Sequence, residues 1–248
     1  MKKSVYFILI ILLILSGCFN SFEAFLEEWD ELRTYQSVCP SVTDAFKFPE
    51  NWTKEDLDNF ANLPEETIYS MSTCGLLKTL LEHPTNSLLG PWCAYCSNSG
   101  LPGVAMFNND LMANKVAVEL FERNDCFSIL ASNYLTIIKE KKEHSGQIAY
   151  CEMLLASDMC MAALKEREKI QLMAMALEKV KYKSESIHVN ETFHIIVAIM
   201  RSCNYTPFLN EFGTEWREGL QGYSICFVSE NEILIYAKQF LNEKNKKS

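Results

Sequence analysis

The segment 104–206 contains no proline and a single glycine, Gly146. Strands of a small domain are joined by tight turns, and those turns draw on glycine and proline for their backbone angles. A stretch of this length without such residues therefore predicts consecutive helices joined by short polar connections. Both residue types are scarce throughout, with 9 glycines and 7 prolines in 248 residues, which argues against a turn-rich β-sandwich.

Apolar residues recur at helical spacing along this segment. Met112, Val116 and Leu120, for example, follow one another at intervals of four. Thr53-Lys54-Glu55-Asp56 resembles a capping box, and Pro64 fits the first helical position of the segment after it. The predicted helices span residues 21–35, 53–61, 73–82, 109–123, 126–142, 147–157, 165–181, 191–203 and 230–243.

The same spacing predicts which side chains are buried. In 147–157 they are Ile148, Cys151, Leu154 and Leu155; in 165–181 they are Ile170, Met173, Ala174, Leu177 and Val180; in 191–203 they are Phe193, Ile196, Val197 and Met200. Five methionines either pack in this core, which we favour, or form an adaptable binding surface: Met153, Met159, Met161, Met173 and Met175.

The fold class predicted from these patterns is all-α. Residues 223–228 are β-branched and aromatic, so they predict one short C-terminal strand beside the helices. The helix pairs 109–142 and 147–181 are similar in length, which suggests an α-solenoid repeat of about 40 residues. The body is therefore expected to be either irregular or solenoid-like.

The N-terminus has the pattern of an export signal. Lys2 and Lys3 precede an apolar run over residues 5–15, which is too short for an ordinary membrane-spanning helix. The run ends in Leu15-Ser16-Gly17-Cys18, which resembles the bacterial lipobox. That resemblance implies cleavage before Cys18 and attachment of acyl chains such as palmitate to it. The alternative is a simple secretory signal in which Cys18 is incidental.

This interpretation divides the chain into a signal peptide (1–17), an N-terminal helical tether region (18–63) and a helical domain (64–248). The expected location is the bacterial cell envelope, at the outer membrane or in the periplasm. The net charge is −9, and it becomes −11 when residues 1–17 are removed. Such an acidic chain is not expected to bind nucleic acid, and it should stand off an anionic lipid surface.

The cysteines bear on compartment and on chemistry. There are ten: Cys18, Cys39, Cys74, Cys93, Cys96, Cys126, Cys151, Cys160, Cys203 and Cys226. If Cys18 carries lipid, an odd number remains. Because several lie in apolar helical stretches, most are predicted to be small core residues, although an exported protein is also free to form disulfides.

The sharpest motif is Trp92-Cys93-Ala94-Tyr95-Cys96, which resembles the thioredoxin active site. Thiol chemistry there needs the first cysteine at a helix N-terminus, but residues 97–103 are rich in glycine, serine and asparagine. A structural disulfide or two free thiols is therefore favoured for Cys93 and Cys96. A zinc site would need further donors, for which Cys74, Cys126 and His83 are the candidates.

His188, Glu191 and His194 share one helix face at intervals of three. They form either a metal or acid–base site or, as we favour, an ordinary mixture of surface and core residues. Nucleotide-binding, hydrolase and metalloprotease motifs are not found in the sequence. We therefore assign no catalytic residue, no metal ligand and no cofactor.

Four stretches resemble an uncharacterised helical domain of predicted exported proteins from gut Bacteroidota and related anaerobes. They are Tyr69-Ser70-Met71-Ser72-Thr73-Cys74-Gly75-Leu76-Leu77 continuing to Pro84, then Phe107-Asn108-Asn109, Glu119-Leu120-Phe121-Glu122-Arg123-Asn124-Asp125 and Glu152-Met153-Leu154-Leu155-Ala156-Ser157-Asp158. The resemblance covers about residues 64–180 and implies a helical fold and export, without any site residue. The chain departs from the pattern in its Cys93/Cys96 pair and in Asn109, where glycine is usual.

Together these features predict a lipid-anchored envelope protein that is a non-enzymatic binding or interaction module. Its expected partners are the membrane, through Cys18, and an unidentified protein of the envelope. One alternative is an envelope thiol–disulfide oxidoreductase that uses Cys93 and Cys96. The other is a structural component of a surface assembly.

Overall fold

A computed structural model describes residues 43–51, 53–83, 111–139, 146–181, 190–212 and 230–246. The chain divides into two compact units, Met1–Pro40 and Ser41–Ser248, and every described residue belongs to the second. The described residues form helices and no strand, so the all-α prediction is confirmed. The helix predicted over 21–35 and the strand predicted over 223–228 lie outside these ranges.

The helices, numbered in chain order, are α1 (Lys54–Ala61), α2 (Glu65–Ser70), α3 (Thr73–Leu81), α4 (Lys115–Glu122), α5 (Cys126–Lys139), α6 (Gly146–Ala156), α7 (Asp158–Ala163), α8 (Glu166–Lys181), α9 (Asn190–Ser202), α10 (Thr206–Phe212) and α11 (Glu230–Asn245). None of them is both long and apolar enough to cross a bilayer.

Polar side chains set where several helices begin. The capping box predicted at α1 is confirmed, because Thr53 Oγ1 accepts from the Asp56 amide at 3.3 Å and Asp56 Oδ2 accepts from the Thr53 amide at 2.6 Å. The helix predicted over 109–123 is interrupted at Asn114, because residues 111–113 are also helical and Asn114 caps α4. Pro64 is the N-cap of α2, one position before the predicted one.

The core is centred on α6 and α9. Helix α6 packs against α3, α5, α7 and α9, and every residue from 148 to 156 except the half-buried Tyr150 is buried. Helix α9 packs in turn against α6, α7, α8, α10 and α11. The faces predicted for α6 and α9 are confirmed, since all eight of those side chains are buried.

The predicted face of α8 was wrong by a small rotation. Of the five residues predicted, only Met173 is fully buried; the buried residues are Leu172, Met173, Met175, Ala176 and Lys179. Apolar residues surround more than half of this helix, so spacing alone does not select the inner stripe. The stripe that is observed includes a lysine, which the patterning rule places outside.

Two short helices, α7 and α10, were not predicted. They have six and seven residues, which is too short for a 3.6-residue period to be recognised. The prediction that the methionines pack in the core is borne out for four of the five, because Met153, Met161, Met173 and Met175 are buried. The predicted repeat of about 40 residues stays a prediction.

Candidate functional site

The most concentrated chemistry in the described core surrounds the carboxylate of Glu152 on α6. Lys179 Nζ on α8 donates to Glu152 Oε2 at 2.6 Å. Glu152 Oε1 accepts from the hydroxyl of Tyr134 on α5 at 2.9 Å and from that of Thr192 on α9 at 2.6 Å. We call these four residues the buried network. It joins four helices at one carboxylate.

The buried network is closed to solvent. The Glu152 side chain is 0% exposed and that of Lys179 is 5% exposed. Burial raises the pKa of Glu152, and the Lys179 charge opposes that rise. Burial beside this carboxylate also raises the pKa of Tyr134 well above its usual value. Such a pair offsets its desolvation only when its polar atoms are hydrogen-bonded, and here both Glu152 oxygens and Lys179 Nζ have partners.

Sequence reasoning missed the buried network, although a signal for it was present. Glu152 is the only charged residue in α6, whose residues 148 to 156 are otherwise apolar. A buried carboxylate requires a partner of opposite charge. Lys179 lies one turn after Met175 and Ala176, so it is on the same face of α8 as these apolar residues. The sequence does not show which lysine contacts Glu152, because that depends on how α6 and α8 pack together.

Glu191 and His194, two of the three residues predicted to share a face, lie one turn apart at the start of α9. Glu191 is buried, and its Oε2 has no hydrogen-bond partner within the described part of the chain. Burial lowers the pKa of His194, and the nearby Glu191 charge opposes this effect. His188, the third member, lies outside the described residues. In those residues no group of three potential ligands is placed to hold a metal ion.

Most of the described free thiols are buried. Cys126, Cys151 and Cys160 are free and buried, which confirms their prediction as core residues. Burial raises the pKa of both Cys126 and Cys151 to about 12, so little reactive thiolate forms near neutral pH. Cys203 is free and only partly buried, because it follows the end of α9.

Cys74 differs from those four cysteines because it is disulfide-bonded. None of the other four described cysteines is its partner, since all carry free thiols. Cys74 is therefore not among the core thiols, and it no longer counts among the three candidate zinc donors. A sulfur in a disulfide is not available as the thiolate that zinc requires.

A second polar cluster joins the α2–α3 connection to the α4–α5 connection, and we call it the corner clamp. Thr73 Oγ1 donates to Asp125 Oδ1 at 2.6 Å. The Arg123 guanidinium donates to the carbonyl oxygens of Tyr69 at 3.1 Å and Met71 at 3.3 Å. Arg123 Nε also lies 2.6 Å from Glu119 Oε1, as an ion pair without the alignment of a hydrogen bond.

The corner clamp gives a structural role to motifs noticed in the sequence. The Met71-Ser72-Thr73 stretch and the Arg123-Asn124-Asp125 stretch, far apart in sequence, contact each other directly. The last of the four stretches begins with Glu152 of the buried network and includes Ser157, whose hydroxyl accepts from the Cys160 amide and caps α7. The stretch Phe107-Asn108-Asn109 lies outside the described residues. These residues therefore hold helices together.

The predicted lipidation site, Cys18, and the predicted redox or disulfide pair, Cys93 and Cys96, lie outside the described residues. No family model matches the sequence, and no significant match was found among the curated proteins or the solved structures. The resemblance of residues 64–180 to the Bacteroidota domain therefore stays a prediction.

Proposed function

We propose that the chain is an exported, lipid-anchored protein of the bacterial cell envelope whose helical body is a non-enzymatic binding or interaction module. The observation that carries this proposal is the position of Cys18, directly after Leu15-Ser16-Gly17 and at the end of the apolar run 5–15. Several acyl chains on one cysteine would anchor the protein far better than a single chain, since each buried methylene adds about 0.8 kcal/mol.

The chemistry of the described core supports a scaffold role for the helices. Three donors converge on the Glu152 carboxylate, and its contacts brace four helices. Cys126 and Cys151 have raised pKa values, which favours the unreactive thiol form. Such a rigid body suits a protein that presents a surface to a partner.

Large apolar side chains on the surface are the best places to look for that partner. Tyr69 and Met112 are each 58% exposed, and Ile235 is 54% exposed. Aromatic and methionine side chains are enriched where proteins bind each other. These three positions therefore suit the placement of a photocrosslinking residue.

The anchor is tested by metabolic labelling with an alkyne fatty acid. We expect the wild-type chain to be labelled and the Cys18→Ala variant to lose the label. Cys39→Ala is the matched control, because it removes another cysteine near the N-terminus and should retain the label. Absence of label from the wild-type chain would contradict the lipid anchor.

The interaction role is tested by photocrosslinking in intact cells. A crosslinking residue at 69, 112 or 235 should yield a discrete covalent adduct with one envelope protein. The same residue in place of exposed Asn59 on α1 serves as the surface control. If none of the three positions gives an adduct beyond that of the control, a partner at these surfaces is excluded.

The thiol–disulfide oxidoreductase is kept as the alternative because of the Trp92-Cys93-Ala94-Tyr95-Cys96 motif. It predicts disulfide reductase activity that disappears in Cys93→Ser. Such activity would replace the binding proposal, and its absence from wild-type protein would remove the alternative. A structural component of a surface assembly would instead appear as stoichiometric crosslinking into one large complex.

A further inference from the structure

The segment of residues 43–51, which we call the strap, binds the N-terminal end of α3 through a carboxylate. Asp44 Oδ2 accepts from the Ser72 amide at 2.7 Å, and Asp44 Oδ1 accepts from the Ser72 hydroxyl at 3.2 Å. The hydrogen bond from the Ser72 amide holds the pKa of Asp44 below its usual value. An anion is favoured there because the first amides of a helix lack partners within it.

Gly75 makes room for that carboxylate. A Cβ at this position would lie 2.9 Å from Asp44 Cγ and closer still to Oδ1. Gly75 is in the first turn of α3, where its amide donates to the Ser72 hydroxyl at 3.0 Å. Ser72 and Gly75 therefore form a notch shaped for an oxygen-bearing group.

Further along the strap, residues of α1 and α3 and His83 contact a backbone amide and two aromatic rings of the strap. The Phe46 amide donates to the hydroxyl of Thr79 at 2.9 Å, and Thr79 itself is buried on α3. The rings of Phe46 and Phe48 lie 5.6 Å and 5.1 Å from the ring of Phe60 on α1. The Phe48 ring also lies 4.9 Å from the ring of His83 after α3.

These contacts have the form of peptide recognition on a surface. Ser72 at the N-cap of α3 meets the carboxylate, and Thr79 on α3 meets the backbone amide. Phe60 on α1 meets both aromatic rings. Asp44 is exposed, Phe46 and Phe48 are only partly buried, and Ala45 alone in the strap is fully buried. Contacts with so little burial are at the low end of local stability and open readily.

We propose that one surface of the chain is a docking site for a short peptide, and that the strap is an intramolecular occupant that this peptide displaces. The site is formed by Ser72, Gly75, Thr79, Phe60 and His83. The peptide has a carboxylate followed by two aromatic side chains at alternate positions. In the folded chain the strap is tethered beside the site, at an effective concentration in the millimolar range. A partner peptide of this chemistry must therefore displace it. This inference does not depend on the lipid anchor.

The test uses a fluorescent peptide with the sequence of residues 41–51 and the full chain in detergent. In the strap-disabled variant, Asp44, Phe46 and Phe48 are replaced by alanine. We expect it to bind the peptide, as measured by fluorescence anisotropy, at least about 10-fold more tightly than the wild-type chain, whose own strap competes. A peptide with alanine at the same three positions should not bind.

A substitution in the docking site distinguishes specific binding of the peptide from nonspecific adsorption. Thr79→Val keeps the shape of the side chain and removes the acceptor for the peptide amide, so it should weaken binding to the strap-disabled variant. Failure of a folded strap-disabled variant to bind the peptide would overturn the proposal. Equal binding of the alanine peptide, or no effect of Thr79→Val, would also overturn it.

A measurement on the wild-type chain keeps the proposal falsifiable if the triple variant does not fold. In native-state hydrogen exchange, the amides of Phe46 and Ser72 should exchange at least about 100-fold faster than amides in the middle of α6, through local opening. Exchange of both only by global unfolding would show that the strap cannot be displaced. Neither result depends on whether Cys18 is acylated.

Discussion

Two regions of the molecule use charged side chains in different surroundings. The first region is the strap together with the corner clamp, which lies near the surface. The second is the buried network. In the first region, Asp44 and the guanidinium of Arg123 bind backbone groups at or near the surface. In the second, Glu152 and Lys179 are enclosed by α5, α6, α8 and α9. A carboxylate at the surface keeps much of its hydration, whereas a buried one depends on its protein partners alone.

This difference predicts how each region responds to the loss of a contact. A lost partner in the buried network leaves a charge in a medium that solvates it poorly, and water does not readily replace the partner. A lost partner in the strap is replaced by water at small cost. We therefore expect the strap to open and close locally, while the buried network fixes the helices.

The largest effect is expected for Lys179→Met, which leaves the Glu152 carboxylate buried without its counter-charge. The free energy of unfolding, measured by urea denaturation, should fall by about 3–5 kcal/mol. Lys181→Met is the matched control on the same helix, because its ion pair with Glu178 is more exposed and its loss should cost less than about 1 kcal/mol. Equal losses in the two variants would show that burial does not distinguish the pairs.

A combined variant sharpens this result. Replacing Glu152 by Leu, Lys179 by Met, Thr192 by Val and Tyr134 by Phe removes both charges and both hydroxyl donors. We expect it to regain most of the stability lost in Lys179→Met, because no ion is left buried. A combined variant as unstable as the single one would mean that packing at these positions, rather than an unpaired charge, dominates the loss.

An intermediate effect is expected at the corner clamp. Asp125→Ala removes the acceptor of the partly buried Thr73 hydroxyl, and the expected loss in the free energy of unfolding is about 1–2 kcal/mol. Ser70→Ala, which removes an exposed hydrogen bond to the Thr67 carbonyl, should change stability by less than about 0.5 kcal/mol. A corner clamp that contributes no more than the exposed bond would contradict its role in joining α3 to α5.

A smaller effect on the free energy of unfolding is expected at Gly75, and it should depend on whether Asp44 is present. In an Asp44→Ala chain, Gly75→Ala should raise the free energy of unfolding by about 0.5–1 kcal/mol, because alanine favours helix more than glycine does. In the wild-type chain the added Cβ displaces the Asp44 carboxylate, so the gain should be lost or reversed. Identical effects in both backgrounds would show that Asp44 does not occupy the notch.

The smallest effect is expected from His194. Because its pKa is lowered in the folded chain, the unfolded chain takes up a proton first as pH falls from about 6.5. Its contribution to stability is therefore complete above that pH and is lost as pH falls through the folded-state pKa. The urea midpoint should fall less between pH 7 and pH 5 in His194→Gln than in wild type. An unchanged pH dependence would contradict the lowered pKa.

The elements that were predicted well are those that depend on neighbours in sequence. Local hydrogen bonds fix the capping box at Thr53 and the start of α3 at Ser72. A clear 3.6-residue period fixes the buried faces of α6 and α9. The short helices α7 and α10 carried no such period. The face of α8 was misjudged because apolar residues surround most of that helix.

The sequence by itself determined that the described body is helical and which residues of α6 and α9 are buried. Only the tertiary structure showed that Lys179 reaches Glu152, that Thr73 meets Asp125 and that Asp44 fits beside Gly75. The physical reason is that periodicity and capping act over a few residues. The residue that pairs with a buried charge, or that fills the notch beside Gly75, instead depends on how segments distant in sequence pack together.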